Sequence, residues 1–238
     1  MTEVVITGAS RGIGKALALD FVTRLKNVRL YLVARDEKKL EEVKKECQKI
    51  SASAELVTIS CSLEDEKSFT QIKTVVTEKS KHLDAVIHNA GFLLNRPFEQ
   101  IDLASLEKTY RINVHAPYLL TQALLPVLGG ATPTHVVNIG SMGGVQGQSK
   151  FPGLSAYSPS KMALAGLTES LAEELKGRNI AVNCLALGAV NTEMLAEAFP
   201  GYKAQVSAEE MASYIAGFSL TGHRFYNGKI LSVALSTP

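Results

Sequence analysis

Residues 4–19 read V-V-I-T-G-A-S-R-G-I-G-K-A-L-A-L, an apolar run Val4-Val5-Ile6, a turn from Thr7 to Gly14, and the segment Lys15-Ala16-Leu17-Ala18-Leu19. The apolar run is short and β-branched, whereas Ile13, Leu17 and Phe21 stand at helical spacing, so the periodicity changes from strand to helix across the glycines. Such a turn marks a ligand site. Glycine permits backbone angles and close approach that a Cβ would block, and the free N–H groups of the first helical turn can then face a pyrophosphate. Gly8, Gly12 and Gly14, with Ser10, Arg11 and Ile13 between them, are the candidate contacts. A Walker-type loop would require G-x-x-x-x-G-K-[ST], but Ala9 stands five before Gly14 and Ala16 follows Lys15, which argues against a nucleoside triphosphatase. The usual dinucleotide fingerprint is G-x-G-x-x-G; here the spacing is T-G-x-x-x-G-x-G.

The chain has 238 residues, 46% of them hydrophobic, enough to bury one α/β core, and no Pro/Ser-rich linker divides it. One domain over residues 1–238 is expected. A net charge of +2 with 20% charged residues carries neither a nucleic-acid footprint nor a signal for an acidic partner. Met1-Thr2-Glu3 enters the first strand without a basic and apolar leader, and no run reaches bilayer length, so a cytoplasmic protein without membrane attachment is expected. Cys47, Cys61 and Cys184 lack metal-ligand spacing, and their odd number fits reduced thiols. The five histidines are scattered, so no metal site is expected.

Residues 29–34 read as a second strand, followed by Arg35-Asp36 and a charged helix over 37–50 with Leu40 and Val43 on its apolar side. In dinucleotide-binding β-α-β units an acidic residue at this strand end bonds the ribose 2′-OH, while an arginine accommodates a 2′-phosphate. Arg35 stands there, and Arg11 in the glycine turn supplies a second guanidinium suited to phosphate. The pair argues for NADP(H). Asp36, just before a helical pattern, reads as an N-cap. A third strand over 55–60 and a helix over 65–79 follow. The fourth strand, 84–88, runs into the small-residue turn Asn89-Ala90-Gly91, at a strand end where ligands lie in open α/β sheets.

Residues 101–128 form one long helical pattern that Pro117 should kink and Pro126 should close. Asn113 falls within its apolar face, where a buried amide needs partners. The fifth strand, 135–139, ends at Gly140-Ser141, and the Gly/Gln/Ser-rich segment to Leu154 is expected to line a substrate pocket. Ser155-Ala156-Tyr157-Ser158-Pro159-Ser160-Lys161 then opens a helix. Tyr157 and Lys161 are four apart and share one face; an ammonium there favours ionisation of the phenol, whose reference pKa is about 10, and so tunes an acid/base group. Taken alone, Tyr-x-x-x-Lys is equally a surface pair. Residues 180–186 read as a sixth strand, Ser207 to Glu210 as a capping box for the last helix, and 229–234 as a seventh strand.

In this order on one β-α alternation, T-G-x-x-x-G-x-G, N-A-G, Asn113, Ser141 and Tyr-x-x-x-Lys resemble the short-chain dehydrogenase/reductase (SDR) family over nearly the whole chain. The resemblance implies a doubly wound Rossmann fold with a seven-stranded parallel sheet in the order 3-2-1-4-5-6-7. It also implies an NADP(H)-dependent oxidoreductase of carbonyl-reductase type. Tyr157 would be the acid/base, Ser141 would hydrogen-bond the substrate oxygen, Lys161 would bind the nicotinamide ribose and lower the tyrosine pKa, and Asn113 would complete a proton relay through water. Asn89, Ala90 and Gly91 would line the cofactor, Ser62 and Leu63 would flank its adenine, and Gly188, Val190 and Thr192 would approach its carboxamide. The family usually carries aspartate in place of Ser62, proline in place of Leu187, and an acidic-Gly-Gly ending where this chain closes Leu235-Ser236-Thr237-Pro238. Loss of the proline should loosen the turn at Leu187-Gly188. Residues 193–202 would form a lid, and Phe92, Leu93, Gln148, Phe151, Leu187 and Met194 would face a small, mainly apolar carbonyl or alcohol. A homodimer or homotetramer built on the helices holding Asn113 and Tyr157 is implied. Two alternatives stay open: a catalytically silent NADP(H)-binding regulator, and an epimerase or dehydratase on the same scaffold.

Overall fold

Val4, Val5 and Ile6 expose no surface, because the first strand, β1 (Thr2–Thr7), lies inside a parallel sheet covered on both faces. A computed structural model describes residues 1–148 and 150–235. Along the chain come α1 (Gly12–Arg24), β2 (Val28–Ala34), α2 (Glu37–Ile50), β3 (Glu55–Ser60), α3 (Lys67–Lys79) and β4 (Ala85–His88). They are followed by α4 (Leu103–Tyr110), α5 (Ala116–Leu124), β5 (Thr134–Ser141), α6 (Tyr157–Leu175) and β6 (Ile180–Leu187). The last elements are β7 (Val190–Asn191), α7 (Glu193–Ala198), β8 (Val206–Ser207), α8 (Ala208–Thr221) and β9 (Ile230–Val233). Seven strands form the sheet in the order β3-β2-β1-β4-β5-β6-β9, all paired in parallel. The expected order holds, and its last strand is ninth in the chain only because β7 and β8 make a separate two-residue pairing.

Alternation along the strands builds two cores. Val4, Ile6, Leu30, Leu32, Ile139 and Leu185 pack under α1, α2 and α8, while Val5, Tyr31, Val33, Val86, Val136 and Val182 pack under α3, α5 and α6. Each fully buried Val, Ile or Leu contributes about 1.5–3 kcal/mol, and a sheet covered on both sides needs near-continuous apolar strands, as here. Asp36 caps α2 through the backbone N–H of Lys39, as its position suggested. Ser207 and Glu210 form the capping box of α8.

The long pattern over 101–128 breaks differently from expectation. The turn Arg111–His115 is π-helical, with the Ala116 N–H reaching back to the Arg111 carbonyl, so the bend precedes Pro117, which sits in the first turn of α5. A 3₁₀ turn, Leu125–Val127, closes the segment around Pro126. Among the described residues no helix is long and apolar enough to cross a membrane.

Two histidines on the central strands are buried in neutral form. His135 Nε2 accepts from Asn183 Nδ2 at 2.9 Å, so its proton sits on Nδ1, which donates to the Ser219 carbonyl at 3.1 Å. A second proton would face the amide donor. Burial pulls His135 down to about 4 and His88, paired with Thr121 on β4, down to about 3. The unfolded chain protonates near 6.5, so it binds more protons than the folded chain between that value and 4, and stability falls as pH drops through this window. Thermal melts should therefore be flat from pH 7 to 8 and lose about 2 kcal/mol per histidine by pH 5. His88→Asn should shrink the difference between pH 7 and pH 5.

Candidate active site

The carboxyl ends of the strands line up. Register pairs Thr7 with Val33, Ile6 with Ile87, His88 with Asn138, Ser141 with Leu187, and Leu187 with Val233, so the loops leaving β1, β2, β4, β5 and β6 emerge along one edge. A cleft of about 420 Å³ runs there, within the range of small-molecule and cofactor sites.

Gly8 and Gly12 adopt φ +68° and +52°, angles that side chains disfavour. A Cβ on Gly8 would also lie 2.9 Å from the Cα of Ala90, and one on Gly14 would collide with the Gly8 carbonyl oxygen. Gly8, Ser10, Arg11, Gly12 and Ile13 line the cleft, whereas Gly14 does not: its bare Cα lets α1 press against the loop from behind. Asn89, Ala90 and Gly91 line the cleft, but the Asn89 amide is spent on the loop. Its Nδ2 donates to the carbonyls of Thr7 and Gly8 at 2.9 and 3.3 Å, and the Ala90 N–H donates to Thr7 Oγ1 at 3.0 Å.

One end of the cleft is basic. Arg35 lines it, exposed to solvent beside Glu64 at 3.5 Å, and Ser62 and Leu63 form the adjoining wall. The Ser62 hydroxyl accepts the Glu64 N–H at 3.3 Å. Lys39, from the first turn of α2, joins Arg11 and Arg35 there; sequence alone gave no reason to separate it from the other lysines of that helix. Arg11 is paired with Glu197 of α7 at 2.7 Å.

At the opposite end stand Ser141, Tyr157 and Lys161. Ser141 ends β5 with its hydroxyl accepting the Gly143 N–H at 3.3 Å, and α6 begins at Tyr157. The Lys161 ammonium donates to the Ile139 carbonyl at 2.8 Å and lies 5.8 Å from the centre of the Tyr157 ring. Burial lowers Lys161 to about 8. Burial also pushes the Tyr157 phenol up to about 12, with the Ser141 hydroxyl pulling it partway back. This corrects the expectation of a tyrosine drawn toward neutral pH: desolvation outweighs an ammonium that is directed at a carbonyl and not at the phenol.

Asn113 is fully buried and does not line the cleft. Its Oδ1 accepts the Phe92 N–H at 2.8 Å, while Nδ2 donates to the Phe92 carbonyl and to Ser160 Oγ, each at 2.9 Å. The side chain is therefore satisfied structurally. A Cβ on Gly91 would sit 3.5 Å from Lys161 Nζ and 3.6 Å from Asn113 Oδ1, so all three groups meet at one point.

Gly188, Val190 and Thr192 close the far wall. The turn at Leu187-Gly188 is held without proline, because the Gly188 N–H donates to the Val233 carbonyl at 2.9 Å. Thr192 caps α7, the core of the expected lid. Phe92, Leu93, Phe151, Leu187 and Met194 line the cleft, joined by Leu154 and Phe199. Gln148 does not. It is exposed, on a loop that Lys150 closes on itself by donating to the carbonyls of Val145 and Gln148.

The family model described as "short chain dehydrogenase" matches residues 2–203. The chain belongs to the short-chain dehydrogenase/reductase family. It is 32% identical over 183 residues to 3-dehydrosphinganine reductase of Danio rerio, covering 76% of this chain and 54% of that protein. It is 31% identical over 196 residues to the rhamnolipids biosynthesis 3-oxoacyl-[acyl-carrier-protein] reductase of Pseudomonas aeruginosa, covering 80% and 73%. The structure superposes on the Pseudomonas aeruginosa RhlG/NADP active-site complex with a TM-score of 0.85 at 27% identity, covering 98% of this chain and 94% of that one. The chain thus spans about half the length of the zebrafish relative.

In this short-chain dehydrogenase, Gly144 sets the spacing between β5 and α6. A Cβ on it would meet the Lys161 carbonyl carbon, the Lys161 Cβ and the Met162 nitrogen at 2.6–2.9 Å. Gly144→Ala should push α6 outward and part Ser141 from Tyr157. A destabilisation of about 1–3 kcal/mol is expected in denaturant titrations, as for overpacked cores.

Proposed function

We propose that the chain is an NADP(H)-dependent oxidoreductase of carbonyl-reductase type. It would interconvert a carbonyl and a secondary alcohol on a small, mainly apolar substrate, with Tyr157 as general acid/base. The convergence of Ser141, Tyr157 and Lys161 at one end of a cleft whose other end is basic carries this proposal. The glycine turn fits the cofactor: a Cβ at Gly8 would force the turn away from Asn89 and Ala90, and Gly12 and Ile13, in the first turn of α1, line the cleft where a helix N-terminus suits an anion. Arg11, Arg35 and Lys39 suit a 2′-phosphate, and the cofactor carried by RhlG is NADP.

When bound, NADP(H) supplies or accepts the hydride; the protein's part is orientation and the proton. The Ser141 hydroxyl donates to the substrate oxygen, and Tyr157 Oη delivers its proton there in reduction or takes one from the hydroxyl in oxidation. A phenol that stays protonated above neutral pH is ready to act as the proton donor when the carbonyl is reduced. Lys161, still charged at pH 7, holds the ribose. Asn113, beside Lys161 across Gly91, would link the lysine to solvent through water. Phe92, Leu93, Phe151 and Met194 favour an apolar substrate, and both curated relatives named above reduce 3-oxo compounds by their names.

Consumption of NADPH against aldehydes, ketones, diketones, quinones and 3-oxoacyl thioesters tests this directly. Turnover with at least one class is expected, and Tyr157→Phe should lower kcat by about 10²–10⁴-fold. Binding of NADPH with no consumption would favour the silent regulator or an isomerase. In reduction, kcat/KM should be level below the Lys161 value of about 8 and fall above it as the ammonium is lost.

We also propose self-association. Leu103, Leu106, Tyr118 and Met162 remain exposed on α4, α5 and α6, an apolar face that association would cover. Light scattering should report a dimer or tetramer, and Tyr118→Glu should shift it toward monomer. The three unpaired thiols support a reducing, cytoplasmic setting.

A further inference from the structure

The lid helix α7 carries carboxylates toward the cation-rich end of the cleft. Glu193 and Glu197 are four residues apart and share a face. Glu197 Oε1 pairs with Arg11 at 2.7 Å, and Glu193 Oε2 lies 3.6 Å from the position of a Cβ on Gly12. Arg11 is raised above its ordinary value chiefly by its hydrogen bond to Glu197, with Glu193 adding to it. Glu197 is held below the usual carboxylate range by Arg11 first and by Lys39 as well. One carboxylate therefore sits among the cations that would receive a 2′-phosphate. The same end of the lid is fastened a second time, by Asn95 Nδ2 donating to the Ala198 carbonyl at 2.7 Å.

We infer that Glu197 is a cofactor-selecting residue: its carboxylate holds Arg11 as an internal anion, and a 2′-phosphate displaces it, whereas a cofactor with a bare 2′-hydroxyl leaves the lid fastened. The inference rests on the NADP(H) reading above. A phosphate near its second ionisation carries more charge and more acceptor oxygens than one carboxylate, so it wins the guanidinium. The competing pair is exposed to solvent and its attraction is modest. Selection by Glu197 is accordingly a trim on affinity, and arrival of the phosphate removes one of the two contacts that hold this end of α7.

Calorimetric titration with adenosine 2′,5′-bisphosphate and with AMP isolates this end of the site, because neither probe carries a nicotinamide. Wild type should bind the bisphosphate more tightly than AMP. Glu197→Gln should tighten the bisphosphate about two- to five-fold, the range of an exposed ion pair, and leave AMP unchanged; Glu197→Asp, which keeps the charge, should fall between. If wild type shows no preference for the bisphosphate, the NADP(H) reading fails and the displacement with it. If wild type keeps the preference while Glu197→Gln binds the bisphosphate equally or more weakly, the displacement alone is overturned. All three proteins should melt at the same temperature, as expected for an exposed side chain.

Discussion

Two carbonyls at the end of the central strand, those of Thr7 and Gly8, share one donor, the Asn89 amide. That small bond set decides where everything else can be. It fastens the turn after β1 to the turn after β4 at the place where both backbones must stay open to a ligand. Each hydrogen bond contributes only about 1 kcal/mol net, but losing the donor would strand buried acceptors and cost more. Two residues on, Gly91 lies against Lys161 and Asn113. The anion cradle and the reacting end are thus measured off from the same clamp, one by β1 and α1, the other through α5 and α6.

Burial has opposite effects on the two titratable groups at the reacting end, and both follow from one cause. A dry environment penalises whichever form is charged, so it raises the phenol of Tyr157 and lowers the ammonium of Lys161. The two values are driven apart, yet both stay above neutral pH, so at pH 7 the phenol keeps its proton and the ammonium its charge. The basic end works by other means, since Arg11 and Arg35 are wetter and their charges are fixed.

Much of this was legible in the sequence because it is local. The glycine turn, the Asp36 cap, the capping box at Ser207 and the pairing of Tyr157 with Lys161 all lie within a few residues, where spacing dictates neighbours. The resemblance to a known family then supplied the sheet order. What escaped was long-range or geometric. Arg11 and Glu197 are 186 positions apart, and no pattern singled out Lys39 from its helix. Gln148 was placed in the pocket by composition, whereas the hydrogen bonds of Lys150 turn that loop back on itself. The Tyr157 pKa was misjudged because proximity along a helix says nothing of where an ammonium points, and here it points at Ile139.

The π-helical turn at Arg111–His115 holds one residue more than an α-helical path of the same rise would need. Its effect is local: the wide turn absorbs the extra residue, so α4 and α5 keep nearly the phase of one continuous helix while the backbone between them is displaced. Asn113 faces the backbone of Phe92 because of that offset, while α4 keeps its own apolar side. The segment thus behaves as a bulge between two helices, and its count of residues, more than their identity, fixes which side chain is aimed at the centre of the protein. A single deletion there would leave a regular helix and a sound sheet, with α4 and α5 facing as before, and would take away only the displaced turn that presents Asn113 to Phe92.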